Sequence, residues 1–186
     1  MLKRWLVWFM RCGHSRGFGI QSPWAYRFVR YVINEHYPYY AYSELATSLK
    51  VDYRLPRLYF RLANYMQSSE WYSYFSQAEE YENYIHHGCK KCDVVTVCDV
   101  ERLPKKFDIV SVGLREDYVH ICERLISCAH PGTLIIVEGI HQRKAALTYW
   151  RKIIKDQRVR ISFDLYVCGL LFFDPKQHKR HYIINF

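Results

Sequence analysis

Glycine is scarce in this 186-residue chain, and its placement matters more than its number: between Gly19 and Gly113 only Gly88 occurs. A strand-to-helix turn that cradles a nucleotide-type cofactor needs glycine, because a backbone without side chains can approach the ligand closely. The loop on which that class of site is built is therefore missing. Long apolar runs are missing too. The run Trp5 to Met10 has six residues, where a membrane-spanning helix needs about 20. No Gly/Ser-rich or Pro-rich linker divides the sequence and no internal repeat recurs, so a single domain over 1–186 is expected. Paired cysteines are also lacking. Seven, an odd number without small-domain spacing, read as reduced thiols in a cytoplasmic setting. Cys122, Cys128 and Cys168 sit in apolar stretches and are expected in the core.

What is present is positive charge and aromatic surface. The formal charge of +9 favours nucleic acid, anionic lipid or an acidic partner without choosing among them. The opening segment has a basic front, Lys3-Arg4, and an apolar middle too short for a signal peptide, with no small-residue cleavage site after it. An amino-terminal helix packed on the domain is the favoured reading. A membrane-surface anchor built on Trp5, Trp8, Lys3 and Arg4 is the sharper one. Thirteen of the seventeen tyrosines precede Cys89, whereas the β-branched runs follow it. Residues 1–67 are therefore expected as a helical amino-terminal extension, with the sheet built by 68–186.

Ser22-Pro23 is a good helix start, with Ser as cap, and the apolar spacing carries that helix to about His36. A second helix is predicted from about Pro56 to Met66, then a strand over Glu70 to Phe75. A polar helix, Gln77 to His87, leads to strands at Asp93 to Cys98 and Phe107 to Val112. The helix Glu116 to Ala129, the strand Thr133 to Val137 and the helix Gln142 to Asp156 follow. Continuous apolar runs alternating with helices indicate a parallel sheet covered on both faces. The closing segments, Arg160 to Tyr166, Gly169 to Phe173 and His181 to Phe186, are close together and suggest an antiparallel finish.

Certain residues point further. Gly19-Ile20-Gln21-Ser22-Pro23-Trp24 opens a helix, and Leu58 to Tyr65 precedes the first strand. Late in the chain come Ile140-His141, Trp150, Asp164-Leu165-Tyr166, Gly169-Leu170-Leu171-Phe172-Phe173, Lys176-Gln177-His178 and Tyr182 to Phe186. In order and spacing this resembles a bacterial branch of the class I S-adenosylmethionine-dependent methyltransferase family. The amino-terminal pattern there is Gly-x-His-Ser-Pro-Phe, with Gln21 here in place of the His. The likeness covers most of the chain and is weak between about Ser68 and Lys106. It implies an α/β, Rossmann-like methyltransferase fold, with a shortened, mostly parallel sheet, antiparallel carboxy-terminal strands and an amino-terminal helical extension.

The same resemblance shows four departures. The turn expected to hold S-adenosylmethionine corresponds to Trp71 to Glu80, which has no glycine. The stretch up to Phe107 has room for about one βα unit fewer than the family has, and the acidic residue gripping the ribose has only Asp99 and Glu101 as candidates by location. Gly113 stands where the family carries an Asp after the strand ending at Val112. Glu138-Gly139 replaces a paired Asp-Asp. All fall at the carboxyl ends of parallel strands, where such folds bind ligands. The expectation is a methyltransferase-like protein that binds no cofactor in the standard way and is non-catalytic, with an unidentified protein or small molecule as partner. The enzyme alternative puts S-adenosylmethionine in a rebuilt pocket at Tyr72, Ser73, Ser76 and Asp99, with Glu138 and His141 as catalytic pair. A third reading is a basic adaptor for nucleic acid or anionic membrane, drawing on Arg143, Lys144, Arg151, Lys152, Lys155, Arg158 and Arg160. No metal is expected: His86-His87-Gly88-Cys89-Lys90-Lys91-Cys92 offers one Cys-x-x-Cys, and a structural zinc site draws on two separated pairs.

Overall fold

A computed structural model describes residues 2–14, 19–45, 53–115 and 117–186, the side chains of 2–5, 14, 44 and 100 excepted. The amino-terminal part holds α1 (Leu2–Met10), α2 (Pro23–Phe28, continued by a wider turn through Ile33), α3 (Tyr40–Leu45) and α4 (Arg54–Met66). There follow β1 (Glu70–Tyr74), α5 (Glu82–Gly88), β2 (Asp93–Thr96), β3 (Ile109–Val112), α6 (Tyr118–Cys128) and β4 (Leu134–Glu138). The chain closes with α7 (Lys144–Ile153), β5 (Ile161–Asp164), β6 (Cys168–Phe172) and β7 (Arg180–Ile183).

Local chemistry explains these boundaries. Ser22 caps α2 by accepting a hydrogen bond from the Ala25 amide, and Pro23 needs no donor in the first turn. The far end of this helical stretch is held by a residue from another element: Arg61 of α4 donates to the carbonyls of Val32 and Ile33. A buried guanidinium thus satisfies carbonyls that a helix end leaves unpaired. The helix expected from Gln77 is regular only from Glu82. Its first turn is displaced because the Gln77 amide binds the Glu138 carboxylate and the Ala78 amide binds Ser76. Glu116, the expected start of the next helix, lies outside the described residues.

The seven strands form one sheet in the order β2-β1-β3-β4-β6-β5-β7. β2, β1, β3 and β4 run parallel, as the alternation of strands and helices predicts. Alternate residues bury into two cores. Ile109, Leu134, Ile136 and Leu170 meet α2, α4 and α5 through Phe28, Leu58, Leu62 and Ile85. Val110, Val112, Ile135 and Leu171 meet α6 and α7 through Ile121, Leu125, Trp150 and Ile153. The helices α2 and α4 of the first 67 residues therefore supply, together with α5, one of the two layers covering the sheet. A single helix and strand lie between β1 and β3, which leaves β2 on the border.

The antiparallel finish needs one correction. β6 is antiparallel to both β4 and β5, but β7 is parallel to β5. Both edges of β6 are occupied, so the chain reverses after it and takes the free outer edge of β5, in the direction of β5 itself. Among the described residues no helix is long and apolar enough to cross a membrane.

Candidate functional site

The carboxyl ends of β1, β3 and β4 and the turn between β5 and β6 surround a cleft of about 1100 Å³. Parallel sheets bind ligands at this end because the strand-to-helix loops splay apart there. The loop after β1 does not splay. Phe75 takes a left-handed backbone, with φ of 47°, and its chain folds back across the end of β3. A Cβ built on Gly113 would lie 1.8 Å from the Phe75 carbonyl oxygen. Glycine is thus required at 113 for the two backbones to touch, and the place where the family has a carboxylate is filled by main chain. The guanidinium of Arg115 covers the Phe75 ring at 4.1 Å.

The sequence-derived cofactor residues are spread around this loop. Ser73 and Ser76 belong to a chain of hydrogen bonds running from Trp71 Nε1 to Ser111 (2.9 Å), to Ser76 (2.6 Å), to Ser73 (2.9 Å) and on to Glu79 (3.2 Å). Ser73 is fully buried. Tyr72 packs in the opposite core and donates its hydroxyl to Glu70 at 2.8 Å. Asp99 is exposed and caps a short turn by accepting from the Glu101 amide. None of Tyr72, Ser73, Ser76 and Asp99 is among the residues that line the cleft. Phe75, Gln77, Gly113 and Leu114 line it instead; with no glycine in the loop after β1 and its main chain packed against Gly113, the residues present do not match a glycine-cradled cofactor at that loop.

Glu138 and His141 both line the cleft, but they bind different partners. Glu138, the last residue of β4, is buried. It accepts the Tyr59 hydroxyl from α4, and each of its oxygens accepts from the Gln77 amide, at 3.0 and 3.1 Å. Burial pushes its carboxyl up to about 7, against the lowering effect of the Tyr59 and Gln77 hydrogen bonds. The group thus ties β4 to α4 and to the loop after β1, and it exchanges a proton near neutrality. Burial, with Glu138 beside it, pushes the Tyr59 hydroxyl well up. Tyr59→Phe is expected to cost about 1.5 kcal/mol at pH 7.5, the usual worth of a hydrogen bond to a charged group, measured by urea unfolding. Gly139 turns the chain with a φ of 65°, so the second member of the family's acidic pair is here a left-handed turn.

His141 belongs to a second cluster that the sequence reading did not assemble. Its Nε2 lies 2.8 Å from Asp164 Oδ2, and Arg11 bonds Asp164 Oδ1 at 2.9 Å. The Tyr166 amide also donates to Asp164 Oδ1, at 2.9 Å, with Tyr166 in a left-handed conformation of φ 70°. The Tyr166 ring stacks on His141 with centroids 4.7 Å apart, and the Arg11 guanidinium lies 5.2 Å from its centroid. Burial pushes the Asp164 carboxyl up, but the His141 hydrogen bond and the Arg11 charge outweigh it and hold the group below its ordinary value. Asp164 and Tyr166 were visible as pieces of a motif. Arg11 gave no local signal, since its partner is 153 residues away.

The Cys-x-x-Cys segment packs as core. Cys89 points its thiol at the Ser68 carbonyl, and burial pushes Cys92 up to about 12. Among the described residues no three His, Cys, Asp or Glu side chains converge as metal ligands. Arg143, Lys144, Arg151 and Lys152 are exposed, on and beside α7, and Lys152 pairs with Glu123 of α6.

No family model and no curated protein matches this sequence. Among solved structures the fold is similar to that of cofactor-bound Rv0187 from MTB, at 14% identity and a TM-score of 0.50, over 72% of this chain and 89% of that one. At that identity the likeness bears on the fold alone: this is an α/β, Rossmann-like chain with a methyltransferase-like arrangement of strands.

Proposed function

We propose that this methyltransferase-like protein holds no S-adenosylmethionine in the standard way, and that its cleft serves to bind a partner or a small ligand without methyl transfer. The observation that carries the reading is the contact between the loop after β1 and the end of β3, with no room at Gly113 for even a Cβ. Support also comes from Ser73 and Ser76, whose hydroxyls are committed to an internal chain of hydrogen bonds. Titration calorimetry with S-adenosylmethionine and S-adenosylhomocysteine is expected to give no heat of binding. Micromolar affinity for either would overturn the reading.

One observation favours a second reading. The cleft is large enough for a ligand, and it is lined by His141 and by the Glu138 carboxyl, which burial raises to about 7. An active methyltransferase built on these would hold its cofactor over β3 and β4, displaced from β2. The same titration separates the two readings, because the second requires binding that Glu138→Gln leaves intact while methyl transfer is lost.

A further inference from the structure

We propose that α1 docks on an anionic lipid surface, a role independent of what the cleft holds. Leu6, Phe9 and Met10 of this helix are exposed by 57, 71 and 81%. Leu6, Phe9 and Met10 are three and four residues apart and so share one helical face. Val7, Trp8 and Arg11 turn the other way and line the cleft. Arg11 fixes that orientation, because it is tied to the Asp164 side chain and to the Asp164 and Ile184 carbonyls. The apolar face of Leu6, Phe9 and Met10 is therefore turned away from the cleft and largely exposed.

Two arguments select a bilayer as the occupant. The first is area. Three side chains of this size expose on the order of 400 Å², less than the roughly 800 Å² each partner gives to a stable protein interface. An interfacial helix needs no more than a few apolar side chains sunk at the boundary between headgroups and acyl chains, helped by attraction to anionic lipid. The second is charge. The chain carries +9, and Lys3 and Arg4 lie in the same nine-residue segment, so its field is complementary to an anionic leaflet.

Flotation of the full chain with vesicles tests this. Vesicles of phosphatidylcholine with about 30 mol% phosphatidylglycerol are expected to carry the protein at low salt and release it as salt rises. Pure phosphatidylcholine should carry much less. The double variant Phe9→Glu, Met10→Glu, whose side chains are exposed in the wild type, should melt at the same temperature and bind at least about tenfold more weakly. Absence of binding to the anionic vesicles, equal binding to neutral ones, or binding unchanged in the double variant would each overturn the proposal. So would a concentration-dependent dimer that the double variant disperses without any vesicle binding, since a second copy would then cover the face.

Discussion

Gly113→Ala is expected to destabilise the fold by more than about 3 kcal/mol, which for a chain of this length lowers the melting temperature by roughly 10 °C. The added methyl would sit 1.8 Å from the Phe75 carbonyl oxygen and 3.3 Å from the Ser76 Cα. Both are backbone atoms, so relief requires moving the whole loop. That loop is anchored by the Gln77 amide on Glu138 and by the Ser76 hydroxyl on Ser111. Thermal melting followed by circular dichroism, with urea unfolding at 25 °C, measures the loss. Gly113→Asp, which adds a carboxylate at this position, meets the same obstacle and should be no more stable. An alanine variant within about 0.5 kcal/mol of the wild type would mean that the loop lifts easily from β3, and the proposed function would lose its support.

Glu138 gives the largest pH effect. Its carboxyl has an ordinary value of 4.5 and is raised to about 7 in the fold by burial. The folded state thus binds the proton more tightly than the unfolded one. Its stabilising contribution is complete below the unfolded value and declines as pH rises through the folded one. Between pH 5 and 8 this amounts to about 2.5 kcal/mol. Glu138→Gln cannot ionise, so it should lack this decline and equal or exceed the wild type at pH 8. His181 acts in the opposite sense. Burial lowers its proton affinity, so its contribution grows as pH rises. Because His181 is common to both proteins, the difference between their urea-unfolding curves over this range isolates Glu138. Parallel curves would show that the carboxyl titrates at its ordinary value, despite its partners Tyr59 and Gln77.

The sheet was legible in the sequence because its central strands are buried on both faces and so read as unbroken apolar runs, such as Leu134 to Val137. Boundaries decided by neighbouring elements were less legible. The first turn before α5 is displaced by the pull of Glu138 on Gln77, which no local pattern encodes. The direction of β7 follows from which edge of the sheet is free, a property of the assembled topology. At the site, the sequence identified Gly113 and Gly139 as departures from the family. Their physical reasons, a backbone contact and a left-handed turn, needed coordinates. Glu138 and His141 line one cleft, while the partners that define each one's chemistry, Tyr59, Arg11 and Asp164, come from distant segments.

The single helix and strand between β1 and β3 have a consequence for the protein's company. With β2 at the margin, the sheet ends in a border whose main-chain donors and acceptors face outward, and such a border invites strands from other molecules. β2 is poorly suited to extend that pairing. It has four residues, Asp93, Val94, Val95 and Thr96, none of them fully buried, and it follows the exposed pair Lys90-Lys91. The opposite border is guarded in the same manner, since β7 has four residues and begins with exposed Arg180. Charge and brevity at both margins disfavour pairing between copies of the chain through the edges of the sheet.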